Sequence, residues 1–194
     1  MQRYLLNFAY IGTRYNGIQR NLKLENHISI EDSLLNAVKK LKNVSYADIQ
    51  TSSRTDAGVH ALNSSATIDV ERNYCDPFQC HVITKQVNGI LSEWNEQIRV
   101  LKATKVPKDF NVRNSCISRS YLYRLAVAKN KAETGMKKKE LKSRMFIPIE
   151  ENQRCHFILN MNGFDIEKAK EVAKMMEGLH DFRSFMKKSK EQKT

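Results

Sequence analysis

The feature that most constrains the fold is the order in which strand-like and helix-like segments alternate along the first half of the chain. Apolar and aromatic residues typical of strands occur at residues 4–10, 48–53, 65–70 and 98–106. Apolar residues at helical spacing occur between the first and second of these segments and again between the third and fourth. The resulting order, β-α-β-β-α-β, predicts an α+β fold in which two helices pack on one sheet.

Local signals place the ends of the two helices. Ser29 is suited to an N-cap, with Asp32 three residues later. We expect the second helix to begin at Asp76-Pro77 and to end at Asn88-Gly89. With these boundaries, the first half has the pattern of a ferredoxin-like split βαβ unit.

The second half begins a similar unit without completing it. A strand is predicted at residues 119–128, followed by a basic loop at 129–144, a helix capped by Asp165 and closed by Gly178, and a short strand at 182–186. Residues 166, 169, 173 and 176 are expected to face inward. The predicted fold is therefore a mixed antiparallel sheet, with a ferredoxin-like half at 1–110 and an incomplete second half at 111–194 that includes the basic loop and tail.

Charge is distributed unevenly between the two halves. The net charge is +12. Residues 1–100 contain 11 Lys+Arg and 10 Asp+Glu, whereas residues 101–194 contain 22 and 11. A basic half favours a polyanionic partner such as RNA, because each neutralised phosphate releases counterions. A lysine-rich solvated surface is the alternative.

Several other classes of protein are disfavoured. No apolar run has the length of a membrane span, and no presequence is visible at the N-terminus. The four cysteines form no CxxC pair, and no histidine lies at zinc-ligand spacing with a cysteine pair. We therefore expect free thiols, no metal, no membrane association and an intracellular protein.

A loop between the second and third predicted strands concentrates chemically active residues. Arg54, Asp56 and His60 lie within it, and Gly58 permits a tight turn. A cation close to Asp56 would keep its carboxylate ionised, which suits a nucleophile or a base. The alternative is an ordinary turn in which Asp56 caps the backbone and Arg54 pairs with it at the surface.

Eight consecutive residues of this loop form the run Arg54-Thr55-Asp56-Ala57-Gly58-Val59-His60-Ala61. This run resembles the catalytic loop of the TruA family of tRNA pseudouridine synthases, and one branch of synthase-like proteins in particular. Further segments resemble family motifs in the same order: residues 15–20, 110–113, 118–124 and 178–182. The resemblance covers nearly the whole chain, from about residue 3 to about residue 185.

The resemblance implies that Asp56 is the catalytic residue of a cofactor-free isomerisation of uridine to pseudouridine in RNA. It also implies that Tyr121 stacks on the flipped uracil. Arg54, beside Asp56, could hold a phosphate or fill the space that the base leaves, and Arg20 and Arg119 are candidate phosphate contacts. A tRNA is the expected substrate, with messenger RNA as the alternative.

One expected segment of the family is missing. No apolar-x-x-x-Val-Arg segment, which supplies a basic partner for the catalytic aspartate, is present in the sequence. We therefore expect a chain that lacks the C-terminal part, and a catalytically impaired RNA-binding protein of the same fold is the alternative function. The resemblance also implies homodimers, and a location in either the mitochondrion or the cytoplasm.

Overall fold

The computed structural model describes residues 1–20, 28–127, 148–158 and 164–186. By its internal contacts the chain divides into two units, Met1–Leu122 and Tyr123–Thr194. The predicted basic loop at 129–144 and the basic tail lie outside the described residues.

The first unit contains a four-stranded antiparallel sheet. Its strands are β1 (Gln2–Tyr10), β2 (Val44–Thr51), β3 (Ala61–Arg72) and β4 (Ile98–Val106), in the spatial order β2-β3-β1-β4. Each pair of neighbours is antiparallel, with β1 between β3 and β4. All four predicted strands are present, and β4 has the predicted bounds. The predicted α+β class with an antiparallel sheet is therefore confirmed.

Two helices connect these strands, α1 (Ile30–Lys39) and α2 (Cys80–Glu93). The predicted N-cap is confirmed, since the Ser29 side chain accepts a hydrogen bond from the Asp32 amide at 3.0 Å. Both predicted ends of α2 are wrong: the helix begins four residues after Asp76, and Gly89 lies inside it.

The physical reason for the second error is the side chain of Asn88. Its amide nitrogen donates to the Val100 carbonyl and its oxygen accepts from the Val100 amide, each at 2.8 Å. Asn88 therefore joins α2 to β4 instead of ending the helix. The helix ends at Glu93, with Trp94 as its C-cap, and Asn95 follows with a φ of 55°, which suits an Asn in the left-handed region.

Alternation along the strands separates a buried face of the sheet from a polar one. Tyr4, Leu6, Phe8 and Tyr10 of β1 are all buried, because they alternate toward the helices. They belong to one continuous core with the apolar faces of α1 and α2. This core supports the ends of β1, β2 and β3, where the candidate site lies.

The second unit is built from shorter elements. Strands β5 (Leu125–Val127) and β6 (His156–Ile158) form a parallel pair, and α3 spans Ile166–Met175. The Asp165 side chain accepts from the Lys168 amide at 3.0 Å, which confirms the predicted cap. Gly178 follows the helix with a φ of 92°.

Three predictions for this region are wrong. Residues 119–124 are not a strand: no described strand pairs with them, so their backbone lacks a ladder. Residues 183–185 form a 3-10 helix instead of a strand, because the Phe185 amide donates back to the Phe182 carbonyl at 2.9 Å. No residue of α3 is buried, including positions 166, 169 and 173, and Met176 directly after the helix is exposed as well.

Candidate active site

The loop that contains Asp56 connects β2 to β3. At its base the Ser52 amide donates to the Ser65 carbonyl at 2.9 Å, which continues the strand pairing by one residue. Beyond this point the chain leaves the sheet, and a turn follows in which the Val59 amide donates to the Asp56 carbonyl at 3.3 Å. Gly58 has a φ of 78° in this turn, as a glycine at that position allows.

Thr55, the residue before Asp56, is held by two hydrogen bonds. Its hydroxyl lies 2.8 Å from the phenol oxygen of Tyr10, at the end of β1. Its carbonyl accepts from the Ile18 amide at 3.2 Å. Burial raises the pKa of Tyr10 above its ordinary value, although the contact with Thr55 opposes this. Tyr10 therefore remains an uncharged partner at neutral pH.

Two glycines allow the segment after β1 to approach the loop closely. A Cβ added to Gly17, which has a φ of 107°, would lie 2.8 Å from the Thr55 carbonyl oxygen. A Cβ added to Gly12 would overlap the Val59 carbonyl. The Gly12 amide donates to Nδ1 of His60 at 2.9 Å, which agrees with a structural role for this histidine. Residues 12–18 thus contact both sides of Asp56.

The side chains of Arg54 and Asp56 are both exposed to solvent. Within the described parts of the chain neither one forms a side-chain hydrogen bond or an ion pair. The alternative in which Arg54 simply pairs with Asp56 is therefore not what the structure shows. Both charged groups are available to a ligand, while the backbone between them is fixed through Thr55.

Two other arginines bring positive charge to the start of the loop. Arg113 donates from Nε to the Thr51 carbonyl, and Arg119 donates from a terminal nitrogen to the Ser52 carbonyl, each at 3.1 Å. A guanidinium has five N–H donors, so each arginine keeps donors for a phosphate. Arg119 is one of the phosphate contacts predicted from the sequence.

Arg20 and Tyr121 lie in other surroundings. The Arg20 guanidinium forms a partly exposed ion pair with Asp48 of β2 at 3.3 Å. Tyr121 is 78% exposed, on a segment without regular structure. Among the described residues no hydrogen bond or ring contact joins Tyr121 to Asp56. The structure therefore ties Arg119 to the loop that contains Arg54 and Asp56, whereas the role of Tyr121 stays a prediction.

Sequence reasoning missed the residues that hold the loop from below. Tyr10 and Thr51 look like ordinary strand residues, yet both bond to groups around the loop. Glu31 occupies a helical position, but it is only 5% exposed. The one available signal was an acidic residue on the buried face of α1, beside Ile30 and Leu34.

A shallow concavity of about 280 Å³ lies on the polar face of the sheet, away from these residues. Arg3 bonds both oxygens of Asp69 there, at 2.8 and 2.7 Å, while Asp48 lies directly opposite Asp69 on the neighbouring strand. Its lining residues are Arg3, Asp48, Ile49, Gln50, Thr67 and Asp69. None of them is a predicted site residue, so this concavity is not the candidate active site.

The donor groups needed for a metal are not assembled in the part of the chain that the structure describes. No three His, Cys, Asp or Glu side chains there are grouped to hold an ion, and the four cysteines are unpaired. The helices of the described ranges include none with the length and apolar character to cross a bilayer.

Comparison with known proteins gives the relationship directly. The chain is 35% identical over 184 residues to human tRNA pseudouridine synthase-like 1, a match that covers 94% of this chain. It is 33% identical over 185 residues to tRNA pseudouridine synthase A of Agrobacterium fabrum, covering 95% of this chain. The chain is a homologue of the TruA-family tRNA pseudouridine synthases. The family resemblance predicted from the sequence motifs is therefore confirmed.

The match to the TruA family extends along almost all of this chain but along only part of its relatives. The chain spans 56% of the human protein and 60% of the bacterial one. The relative from Limosilactobacillus reuteri, also a tRNA pseudouridine synthase A, is 32% identical over 188 residues, and the chain spans 62% of it. No protein-family model matches the chain.

Proposed function

We propose that this chain contains the catalytic loop of a tRNA pseudouridine synthase, which isomerises uridine to pseudouridine within RNA, and that Asp56 is the catalytic residue. Relatives at 32–35% identity have the name of this enzyme. The net charge of +12 suits an RNA substrate, because phosphate contacts by Lys and Arg supply much of the affinity for nucleic acids. A tRNA is the proposed substrate and messenger RNA the alternative.

The observation that best supports this proposal is the contrast between the Asp56 side chain and its backbone. The side chain is exposed and, among the described residues, has no hydrogen bond or ion pair. The backbone beside it is held by Tyr10 and Ile18 through Thr55. A surface aspartate that only caps a turn does not need such support, whereas a catalytic group needs a fixed position.

The proposed reaction is an isomerisation, so substrate and product have the same composition and no co-reactant is needed. The bond between N1 of uracil and C1′ of ribose breaks, the base rotates, and C5 bonds to C1′. The proton on C5 is then released, and N1 takes up a proton. Asp56 can act by attacking C1′ as a nucleophile, or by removing a ribose proton to give a glycal-type intermediate. The base must first leave its stack, at a cost of a few kcal/mol.

The other predicted site residues take supporting roles in this proposal. Arg54 and Arg119 present positive charge beside the loop and would contact phosphates near the flipped nucleotide. Tyr121 would stack on the uracil, and its exposed ring is available for this contact. Arg20 uses one terminal nitrogen in its ion pair with Asp48 and would bind a phosphate through its other donors.

The finer organisation of the fold is also proposed. The element order β-α-β-β-α-β and the strand order β2-β3-β1-β4 support a ferredoxin-like arrangement of the first half. We assign residues 1–110 to this half and residues 111–194 to the beginning of a second one. A homodimer, and a location in the mitochondrion or the cytoplasm, follow from the family alone.

A transcribed tRNA provides the test. The chain is incubated with the transcript, the RNA is digested to nucleosides, and pseudouridine is quantified, in parallel with RNA binding. The proposal requires pseudouridine from the wild-type chain and none from Asp56→Ala, with binding retained in both. Binding without product in both would support instead the RNA-binding protein of the same fold.

A further inference from the structure

A buried carboxylate lies beneath the loop that contains Asp56. Glu31 is the second residue of α1 and is 5% exposed. One of its oxygens, Oε1, accepts from the Thr51 hydroxyl at 2.7 Å, and the other, Oε2, accepts from the Arg20 amide at 3.0 Å. Thr51 is itself fully buried, so the first of these bonds is shielded from water.

The two partners of Glu31 belong to the two parts of the chain that meet at Thr55. Thr51 is the last residue of β2, and the loop to Asp56 starts directly after it. Arg20 follows Ile18, whose amide donates to the Thr55 carbonyl. Glu31 therefore fixes the start of the loop and, at the same time, the segment that packs against it.

The N-terminus of α1 strengthens this connection. The amides of Ile30 and Glu31 donate to the carbonyls of Gly17 and Ile18, at 3.2 and 3.0 Å. These are among the helix amides that have no partner inside the helix. The negative charge of Glu31 also lies at the positive end of the helix dipole, which favours a carboxylate there.

The chemistry of the side chain explains why a carboxylate suits this position. A carboxylate has two acceptor oxygens and no donor, so it can take both the Thr51 hydroxyl and the Arg20 amide. Glutamine has the same shape but only one acceptor oxygen, and its NH₂ would face one of the two donors. Burial of a charge is unfavourable unless the charge is fully hydrogen-bonded. An apolar side chain would fill the same space without this cost, so the carboxylate is explained by its two hydrogen bonds.

We propose that Glu31 is a positioning residue for Asp56, acting through Thr51 and Arg20 and touching no substrate itself. This inference rests on the proposed role of Asp56. Its contribution is to hold the start of the loop in the one arrangement in which the Asp56 carboxylate faces the ribose. Loss of either bond to Glu31 lets the loop shift while the core of the unit stays folded.

The kinetic test compares Glu31→Gln, Thr51→Val and Thr51→Ser in the full chain. Because a displacement of about 1 Å can cost about 100-fold in rate, we expect kcat to fall by about 10- to 100-fold in the first two variants, with KM for the tRNA transcript unchanged. Thr51→Ser keeps the hydroxyl and should stay within about twofold of wild type. The double variant Glu31→Gln/Thr51→Val should have a kcat no lower than that of the less active single variant, because both substitutions break the same hydrogen bond.

Val87→Ala is the matched control, because Val87 is fully buried in α2, outside the loop and its hydrogen-bonded supports. It lowers stability by creating a cavity and leaves the side chains of Glu31 and Thr51 unchanged. If Glu31→Gln and Val87→Ala change kcat and KM alike at matched loss of stability, Glu31 is merely structural and the proposal is overturned.

A second readout does not depend on activity. Amide hydrogen exchange of residues 52–60 and 18–20 should accelerate at least tenfold in Glu31→Gln and Thr51→Val, and should be unchanged in Thr51→Ser and Val87→Ala. Uniform acceleration across the unit, or none in the loop, would overturn the inference. If the wild-type chain forms no pseudouridine, the proposed function fails, and the exchange pattern alone still decides whether Glu31 positions the loop.

Discussion

The hydroxyl of Thr55 lies 2.8 Å from the phenol oxygen of Tyr10. This contact joins the residue before Asp56 to the last residue of β1, the strand at the centre of the sheet between β3 and β4. Central strands are the most firmly held elements of a sheet, because they pair on both sides. The position of Asp56 is therefore determined by the core of the first unit, although its side chain is exposed.

Gly17 should be the residue of the supporting segment that tolerates substitution least. In Gly17→Ala the new methyl would lie 2.8 Å from the Thr55 carbonyl oxygen, at a φ of 107° that L-residues rarely adopt. We expect a loss of roughly 1–3 kcal/mol in the free energy of unfolding, together with lower isomerase activity. Urea denaturation measures the first and pseudouridine formation the second.

Gly89→Ala is the matched control for that experiment. Gly89 lies inside α2, and an added Cβ meets nothing within 4 Å. Alanine should stabilise the helix by about 0.5–1 kcal/mol and leave activity unchanged. If Gly17→Ala has the same free energy of unfolding as the wild type, the close approach of Gly17 to Thr55 is unimportant for stability.

Tyr4 should make the stability of the first unit sensitive to alkaline pH. Burial raises the pKa of Tyr4 from 10.0 to about 12, and its hydroxyl donates to the Phe78 carbonyl at 2.8 Å. The unfolded chain loses the Tyr4 proton near pH 10, whereas the folded chain keeps it. The resulting stability is fully present below pH 10 and is lost as the pH rises toward about 12.

Tyr4→Phe should therefore flatten the decline of unfolding free energy between pH 10 and pH 12. At neutral pH it should cost about 1 kcal/mol for the lost hydrogen bond. Tyr74→Phe is the control, because Tyr74 is fully exposed and should leave the slope unchanged. Identical slopes in wild type and Tyr4→Phe would contradict the assignment.

Asn88 should contribute to stability through the two bonds that it makes to Val100. Asn88→Ala leaves a backbone amide and a carbonyl of β4 without these partners, so the free energy of unfolding should fall by roughly 1–3 kcal/mol. Asn36→Ala, at an exposed position of α1, should change it by less than about 0.5 kcal/mol. Similar values for the two variants would show that water replaces the Asn88 side chain fully.

Regular elements with a strong apolar pattern could be predicted from the sequence, and special contacts of polar residues could not. Strand β4 and the Ser29 cap follow from local rules alone. The end of α2 does not, since Asn88-Gly89 is an ordinary stop signal that a contact with β4 overrides. A prediction from local pattern does not include contacts with a strand that begins ten residues further along the chain.

The candidate site also contains residues that the sequence could reveal and residues that it could not. Arg54 and Asp56 could be found because a run of eight residues matches a family motif. The predicted strand around Tyr121 was wrong, because alternating aromatic residues form a strand only when a neighbouring strand pairs with them. Glu31 was missed, since its two partners are 11 and 20 residues away in sequence.

Arg113 and Arg119 should contribute to RNA binding mainly through charge. Each uses one donor on a backbone carbonyl near the loop and has others free for a phosphate. Removal of one phosphate contact lowers the slope of log K against log salt by about 1. Arg113→Ala and Arg119→Ala should therefore each reduce the slope, measured by filter binding between low and moderate salt.

Lys39→Ala removes the same charge from the end of α1 and serves as the control. It should leave the slope of the binding curve unchanged. If the three variants reduce the slope equally, the effect belongs to net charge in general and not to the two arginines at the loop. A wild-type affinity that does not respond to salt would remove the argument for phosphate contacts altogether.

Release of tritium from tRNA labelled at C5 of uridine tests the central claim most directly, because formation of the bond between C5 and C1′ expels the C5 proton. The wild-type chain and Asp76→Asn, an exposed acid of the same unit, should release tritium at equal rates, and Asp56→Asn should release none while still binding the RNA. Release by Asp56→Asn at the wild-type rate would contradict the assignment of Asp56 as the catalytic residue.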